Sequence, residues 1–154
     1  MRIGQGYDAH KIIPGDEIIL GGVAIPSNYS IEAHSDGDVI IHAVIDAILG
    51  AFSMGDLGSH FPSSDDSYKD ISSRVLLKEV MEKINSSENI INLDITYIGE
   101  EPKLSKYIDQ IRRNISKDLG INLDKVSCKA TTTEGLGFQG RKEGVSAIAI
   151  ILFD

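Results

Sequence analysis

The order of periodic segments predicts an α+β or α/β layer, one sheet with a few helices packed against it. Three observations carry this. Short stretches of alternating apolar and polar residues read as strands, three longer stretches at helical spacing lie between them, and no repeat, low-complexity tract or linker divides the chain. At 154 residues, with 42% hydrophobic and 25% charged residues, residues 1–154 are expected to form one domain. A chain of this size can bury roughly 70% of the surface it exposes when unfolded.

Residues 2–8 form the first expected strand. Glu17 to Pro26 holds two apolar runs, Ile18-Ile19-Leu20 and Val23-Ala24-Ile25, split by Gly21-Gly22, as in a bulged strand or a hairpin. The stretch from Asp38 to Ala51 is apolar or small almost all round, which predicts a buried helix. Residues 52–69 have no sustained period and are rich in Gly, Ser, Asp and Pro; so long a loop in a compact domain is expected to act as a lid. A second helix is expected from Asp70 to Ile84, with Asp70 as its cap and Ile71, Val75, Val80, Met81 and Ile84 near one face.

Ile91, Leu93, Ile95 and Tyr97 alternate with polar residues, giving a strand with one buried face. Leu104, Ile108, Ile111, Ile115 and Leu119 share a helical stripe that stops at Gly120. Val126, Cys128 and Ala130 alternate again. The last stretch, Val145 to Phe153, is apolar on both faces, so it belongs at the centre of a sheet or under another subunit.

Charge and cysteine content exclude several functions. A net charge of −8 argues against tracking along a nucleic-acid backbone, and no segment has the apolar length of a membrane span. Cys128 is the single cysteine, so neither an internal disulfide nor a cysteine-based zinc cage is available. The first residues lack the features of a secretory or organelle leader, and a cytoplasmic location is the expectation.

Four histidines occur in the chain, and three of them lie in or beside two acidic clusters, Asp8-Ala9-His10 and His34-Ser35-Asp36-Gly37-Asp38-Val39-Ile40-Ile41-His42. Asp8 and His10 are two residues apart, so on a strand they share a face and can converge on one ion. His42 sits among Val, Ile and Ala on a helix, where a polar ring needs a partner. Asp38, His42 and Asp46, each four apart, form one polar stripe, and Asp46 is expected to orient a ligand imidazole. Two histidines and a carboxylate leave a tetrahedral zinc one open position, as in catalytic sites. His60 reads as a surface residue.

Two stretches are suited to phosphate. His34 to Asp38 lead into a helix whose free N–H groups attract anions. Thr131-Thr132-Thr133-Glu134-Gly135 follows a strand and combines hydroxyls and backbone donors with a carboxylate able to hold magnesium between phosphates. On the residues alone, the chain is expected to be a metal-dependent enzyme acting on a phosphorylated small molecule, with a phosphohydrolase or a binding protein as rivals.

Taken together, Gly-Tyr-Asp-Ala-His, His-Ser-Asp-Gly-Asp-Val-Ile-Ile-His, Gly-Asp-Leu-Gly at 55–58 and Lys-Ala-Thr-Thr-Thr-Glu-Gly-Leu-Gly-Phe closely resemble the 2-C-methyl-D-erythritol 2,4-cyclodiphosphate synthase family, in order and over essentially the whole chain. The resemblance implies an α+β fold with one mixed β-sheet packed on one side by about three helices, assembled as a homotrimer with sites between subunits. It implies the conversion of 4-diphosphocytidyl-2-C-methyl-D-erythritol 2-phosphate to a cyclic diphosphate and CMP, in the non-mevalonate isoprenoid pathway.

By the same resemblance, Asp8, His10 and His42 are the ligands of a zinc ion, and Glu134 holds a second cation, magnesium or manganese, between the substrate phosphates. His34, Ser35, Thr132 and Thr133 bind phosphate, with His34, Thr132 and Glu134 as catalytic residues. Pro102, Lys103, Leu104, Ala130 and Thr131 form the cytidine pocket, while Asp56, Gly58 and Asp65 cover the methylerythritol part. Phe138 and Arg141 lie at a central channel able to hold an isoprenoid diphosphate. One departure stands out: members commonly carry Phe-Pro-Asp-Thr-Asp where this chain has Phe61-Pro62-Ser63-Ser64-Asp65.

Overall fold

The computed structural model describes residues 1–84 and 90–154. Among the described residues, seven strands and five α-helices follow one another as β1 (Arg2–Pro14), β2 (Glu17–Leu20), β3 (Val23–Pro26), β4 (Tyr29–Ile31), α1 (Val39–Ala51), α2 (Leu57–His60), α3 (Ser73–Lys83), β5 (Ile90–Ile98), α4 (Ile108–Leu119), β6 (Val126–Thr131), α5 (Gly137–Gly140) and β7 (Gly144–Phe153). Five strands form one mixed sheet in the order β4-β1-β7-β5-β6, parallel only between β5 and β6. The fold is α+β, and its three long helices are α1, α3 and α4. No helix among the described residues is long and apolar enough to cross a membrane.

Alternation assigns the two faces of the sheet. Gly4 and Gly6 of β1, Leu93, Ile95 and Tyr97 of β5, Val126 and Cys128 of β6, and Val145, Ala147, Ala149, Ile151 and Phe153 of β7 are buried. These positions meet the core that α1 and α4 also supply, through Ile40, Val44, Ile48, Ile111 and Ile115. Full burial of each such aliphatic side chain contributes roughly 1.5–3 kcal/mol. The opposite face keeps Ile3, Tyr7 and Ile150 exposed. The strand β7 is therefore central, as its apolar pattern predicts; one of its faces is covered throughout, while on the other Gly144 and Ser146 are buried, Ile148 and Leu152 half-buried and Ile150 exposed.

Helix α1 lies directly on β1 because the strand presents glycine there. A Cβ on Gly6 would stand 2.0 Å from the Ala43 carbonyl oxygen, and one on Gly4 would stand 1.8 Å from that of Ala47. Two strand residues advance about 6.6 Å and four helix residues about 6 Å, so the antiparallel Gly4/Ala47 and Gly6/Ala43 pairings stay in step. The same close approach brings Asp8 and His10, on that face of β1, beside His42.

Several boundaries differ from expectation. The strand β1 runs to Pro14 rather than residue 8, because Lys11 to Pro14 pair with β7 and with β4, a short strand the polar-flanked Tyr29–Ile31 does not announce. Glu17 to Pro26 is a hairpin with Gly21 and Gly22 at φ +57° and +70°, the geometry of a tight two-residue turn that only glycine adopts without cost. Asp70 does not cap α3. It sits at φ +56° and donates its N–H to the His34 carbonyl, while Ser72 occupies the cap position. Residues 52–69 include α2 and a 3₁₀ turn at Asp66–Tyr68, nucleated by the Asp56 and Asp65 carboxylates. Helix α4 starts at Ile108, with Leu104 buried in the turn before it.

Candidate active site

Three ligand atoms converge where β1 meets α1. Asp8 Oδ2 lies 2.9 Å from His10 Nε2 and 3.0 Å from His42 Nδ1, and the two nitrogens are 3.0 Å apart. These residues form a group suited to a metal ion. His42 is 6% exposed and reaches the site from an apolar helix turn.

The other side of the His42 ring explains why a cation belongs there. Ser73 Oγ lies 2.9 Å from His42 Nε2 and donates its own hydrogen to Asp36 Oδ1. A carboxylate only accepts, so the Ser73 oxygen must accept from Nε2–H. Neutral His42 then turns the lone pair of Nδ1 toward Asp8 and His10. Lone pairs facing each other at 3.0 Å call for a positive charge between them, a metal ion or a proton. The donor set, two imidazole nitrogens and one carboxylate oxygen, suits a divalent transition ion such as zinc.

The electrostatics agree. Burial alone would raise the Asp8 carboxyl, but hydrogen bonds from His10 and His42 and their charges hold it well below the ordinary carboxylate range. Burial would lower His42, yet the hydrogen bond to Asp8, with the charges of Asp8, Asp38 and Asp36, raises it.

A cavity of about 250 Å³ opens beside the triad, lined by Asp8, His10, His34, Ser35, His42, Leu57, Phe61, Ser63 and Tyr68 among others. His34 Nε2 is buried there without a hydrogen-bond partner among the described residues. Ser35 Oγ accepts from Gly37 N–H at 3.2 Å and lies 3.3 Å from His42 Nε2, which leaves its hydroxyl hydrogen free to donate. Phe61 is held edge-on by Tyr68, and Lys83 lies over its ring. Asp56, Gly58 and Asp65 are not in the cavity wall. Asp56 accepts from the Ser59 N–H and hydroxyl, Gly58 lies within α2, and Asp65 accepts from Ser67 N–H.

A second cavity, of about 200 Å³, lies at the ends of β5 and β6 and is lined by Tyr97, Gly99, Pro102, Lys103, Leu104, Ser105, Ala130, Thr131 and Thr132. It gathers all five residues expected around a cytidine. Fully buried Tyr97 supports the loop by donating its hydroxyl to the Glu101 carbonyl at 2.7 Å. The following turn holds Thr133, whose N–H meets Glu100 Oε1 at 3.3 Å, and Glu134, exposed at φ +54°. Glu134 is not part of the Asp8 group. Phe138 packs toward Gly144, and Arg141 pairs with Glu143.

One sequence expectation changes. Asp46 does not orient an imidazole; its Oδ1 accepts from Leu57 N–H at 2.7 Å and so fixes the start of α2. The groups that meet His42 behind the metal-facing side are the Ser73 and Ser35 hydroxyls, with Asp36 holding Ser73 in place. Asp38 is entirely buried, accepts from Gly21, Gly22 and Ile41 N–H, and ties the hairpin turn to α1; burial pushes its carboxyl up to about 6 against those hydrogen bonds. Burial likewise pushes the Cys128 thiol up to about 11, which suits a packed core residue and not a ligand.

An α+β chain whose candidate metal site, Asp8, His10 and His42, opens on a cavity belongs by its geometry with metal-dependent enzymes of small molecules. The particular family follows from comparison: the chain matches the YgbB family over residues 1–154, and it belongs to that family of 2-C-methyl-D-erythritol 2,4-cyclodiphosphate synthases. It is 50% identical to the 2-C-methyl-D-erythritol 2,4-cyclodiphosphate synthase of Syntrophomonas wolfei, over 100% of this chain and 99% of that protein. Among solved structures, it resembles the Plasmodium falciparum IspF in complex with CDP with a TM-score of 0.87 and 39% identity, covering 99% of this chain and 94% of that one. The bifunctional IspDF of Campylobacter jejuni matches with a TM-score of 0.92 and 38% identity over 97% of this chain, which spans 41% of that longer protein. The chain is thus an enzyme of isoprenoid biosynthesis that forms a cyclodiphosphate, a lyase.

Proposed function

We propose that this single-domain chain cyclises 4-diphosphocytidyl-2-C-methyl-D-erythritol 2-phosphate to 2-C-methyl-D-erythritol 2,4-cyclodiphosphate and releases CMP. The observation that carries this is the convergence of Asp8, His10 and His42 within 3.0 Å in a member of this family. These three residues hold zinc, and Glu134, solvent-facing beside Thr132 and Thr133, holds magnesium or manganese with the substrate phosphates. When bound, the cations supply positive charge that polarises the β-phosphoryl group and stabilises the departing phosphate.

The nucleophile is the substrate's own 2-phosphate, ionised at neutral pH. Its oxygen forms a bond to the β-phosphorus as the bond from that phosphorus to the bridging oxygen breaks, and CMP leaves with that oxygen. The protein therefore needs no nucleophile of its own, only positioning and charge neutralisation. His34, with an unpartnered buried nitrogen, and Ser35, with a free hydroxyl hydrogen, donate to phosphate beside the triad. Thr132, whose hydroxyl accepts from Glu134 N–H, does so on the nucleotide side, and Thr133 joins it once its hydroxyl turns from the Leu136 carbonyl to the phosphate. Pro102, Lys103, Leu104, Ala130 and Thr131 hold cytidine in the second cavity, whose volume of about 200 Å³ suits a flat pyrimidine. Asp56, Gly58 and Asp65 cover the methylerythritol part. Ser63 replaces a carboxylate with a single hydroxyl, and backbone groups, Asp65 or Asp66 take over its contacts.

The active enzyme is a homotrimer with sites between subunits. Its support is the uncovered apolar face of the sheet, with Ile3, Tyr7 and Ile150 exposed in neighbouring strands, together with the separation of the two cavities. Asp8, Ala147, Tyr97 and Ala130 lie in one row across β1, β7, β5 and β6, so the triad and a chain's own nucleotide cavity are about 14 Å apart, three strand spacings. Phe138 and Arg141 line the trimer channel and admit an isoprenoid diphosphate, and the enzyme works in the cytoplasm. The test is to strip the protein of metal and follow CMP chromatographically: turnover returns with zinc and magnesium together, and undiminished turnover by the stripped protein sinks the proposal.

A further inference from the structure

We infer that Ser73 and Asp36 are positioning residues for the metal centre, acting through His42 to fix which ring nitrogen faces the ion. The inference rests on reading Asp8, His10 and His42 as a divalent-cation site.

Ser73 is the first residue of α3 and is completely buried. Both of its hydrogens go to one carboxylate: N–H to Asp36 Oδ2 at 2.9 Å and Oγ–H to Asp36 Oδ1. Asp36 is itself anchored by Asp38 N–H at 3.2 Å, at the threshold of α1. With its hydrogen committed, Ser73 Oγ keeps only lone pairs to present to His42 Nε2, 2.9 Å away. Nε2 must therefore be the protonated nitrogen and Nδ1 the free one. The alternative tautomer would set two lone pairs against each other in a buried place, a cost water cannot relieve. Carboxylate, hydroxyl and imidazole thus form a relay in which Asp36, accepting from Ser73, strengthens the acceptor facing His42. Such partners of ligand histidines commonly change metal affinity by about 10–100-fold when removed.

The arrangement also ties three elements together. Asp36 belongs to the loop before α1, Ser73 opens α3, and His42 is on α1. Setting the metal ligand in place and docking α3 on that loop are therefore one hydrogen-bonded event. Removing the Ser73 hydroxyl cuts the link to His42 but keeps the Ser73 N–H to Asp36, so the helix contact survives.

The test measures zinc affinity by competition with a chromophoric chelator, and the visible spectrum of the cobalt-loaded protein, for wild type, His42→Ala, Ser73→Ala and Ser73→Thr. Ser73→Ala is expected to bind zinc 10–100-fold more weakly with a shifted cobalt spectrum, and Ser73→Thr, which keeps the hydroxyl, to restore both. Wild-type affinity and spectrum in Ser73→Ala would overturn the inference. In wild-type protein, which removes any question of folding, long-range proton–nitrogen NMR should show His42 protonated at Nε2 and zinc-bound at Nδ1; the reverse tautomer would overturn it as well. Retention of zinc by His42→Ala would instead overturn the underlying metal reading, so the two failures are distinct.

Discussion

Both nitrogens of His42 are committed, one to the Asp8 and His10 side and one to Ser73. Removing the ring should therefore abolish zinc binding: His42→Ala protein, dialysed against zinc and analysed by atomic emission, is expected to hold no stoichiometric metal. Glu134→Gln should behave differently, retaining zinc while losing magnesium-dependent turnover; full turnover would remove Glu134 from the second cation site.

The pH dependence of the metal-free protein follows from the same contacts. Asp8 is held below its ordinary 3.8, so its contribution to stability is present above that pH and lost as pH falls. His42 is raised above its ordinary 6.5, so its contribution is complete below 6.5 and lost as pH rises through the raised value. Above that value the place between the ligands stands without its proton, and a cation need not displace one. Added zinc should raise the melting temperature more at about pH 8 than at about pH 5.5; an increment that does not change with pH would contradict this.

At this scale the triad was legible, because a His among aliphatic residues and an Asp-x-His on a strand each need a common partner. Asp46 misled, since spacing along a helix gives the azimuth of a side chain but not the loop that reaches it first. Ser73 carried no signal, because its role depends on a contact with Asp36 across 37 residues of sequence.

The elements are placed by backbone proximity more than by side-chain chemistry. Gly4 and Gly6 let α1 rest on β1, and the metal ligands come from the two surfaces so joined. Gly6→Ala would put a methyl group 2.0 Å from the Ala43 carbonyl oxygen. Helix and strand would have to part, at a cost typical of overpacking, about 1–3 kcal/mol. Urea unfolding should show that loss, and zinc affinity should fall with it because Asp8 and His42 sit on opposite sides of the contact. Unchanged stability would mean that the helix does not rest there.

The long helices and the central place of β7 were legible from period and apolarity. The short strand β4, the start of α3 and the helical turns within 52–69 were not, because single carboxylate caps and short pairings leave almost no trace in periodicity.

At the scale of the molecule, one face of the sheet carries the core and the other presents Ile3, Tyr7 and Ile150 to the outside. The apolar pattern of residues 145–153 reads as cover on both faces, by the sheet's own core or by another subunit, and within the chain Ile150 is left open. In the proposed trimer this face is covered, and a neighbour completes each site. Ile150→Glu should then yield monomers by light scattering that still bind zinc at the triad but turn over at least about 10²-fold more slowly, since the nucleotide side would no longer be held in position. A fully active monomer would contradict the shared site.

In the proposed reaction this chain holds the 2-phosphate of its substrate against the diphosphate of the same molecule and closes a ring. Phosphorus NMR of the purified protein with 4-diphosphocytidyl-2-C-methyl-D-erythritol 2-phosphate, zinc and magnesium tests it most directly. The substrate resonances are expected to give way to those of CMP and a cyclic diphosphate in equal amounts; CMP accompanied by a linear diphosphate, or unchanged substrate, would contradict the cyclisation.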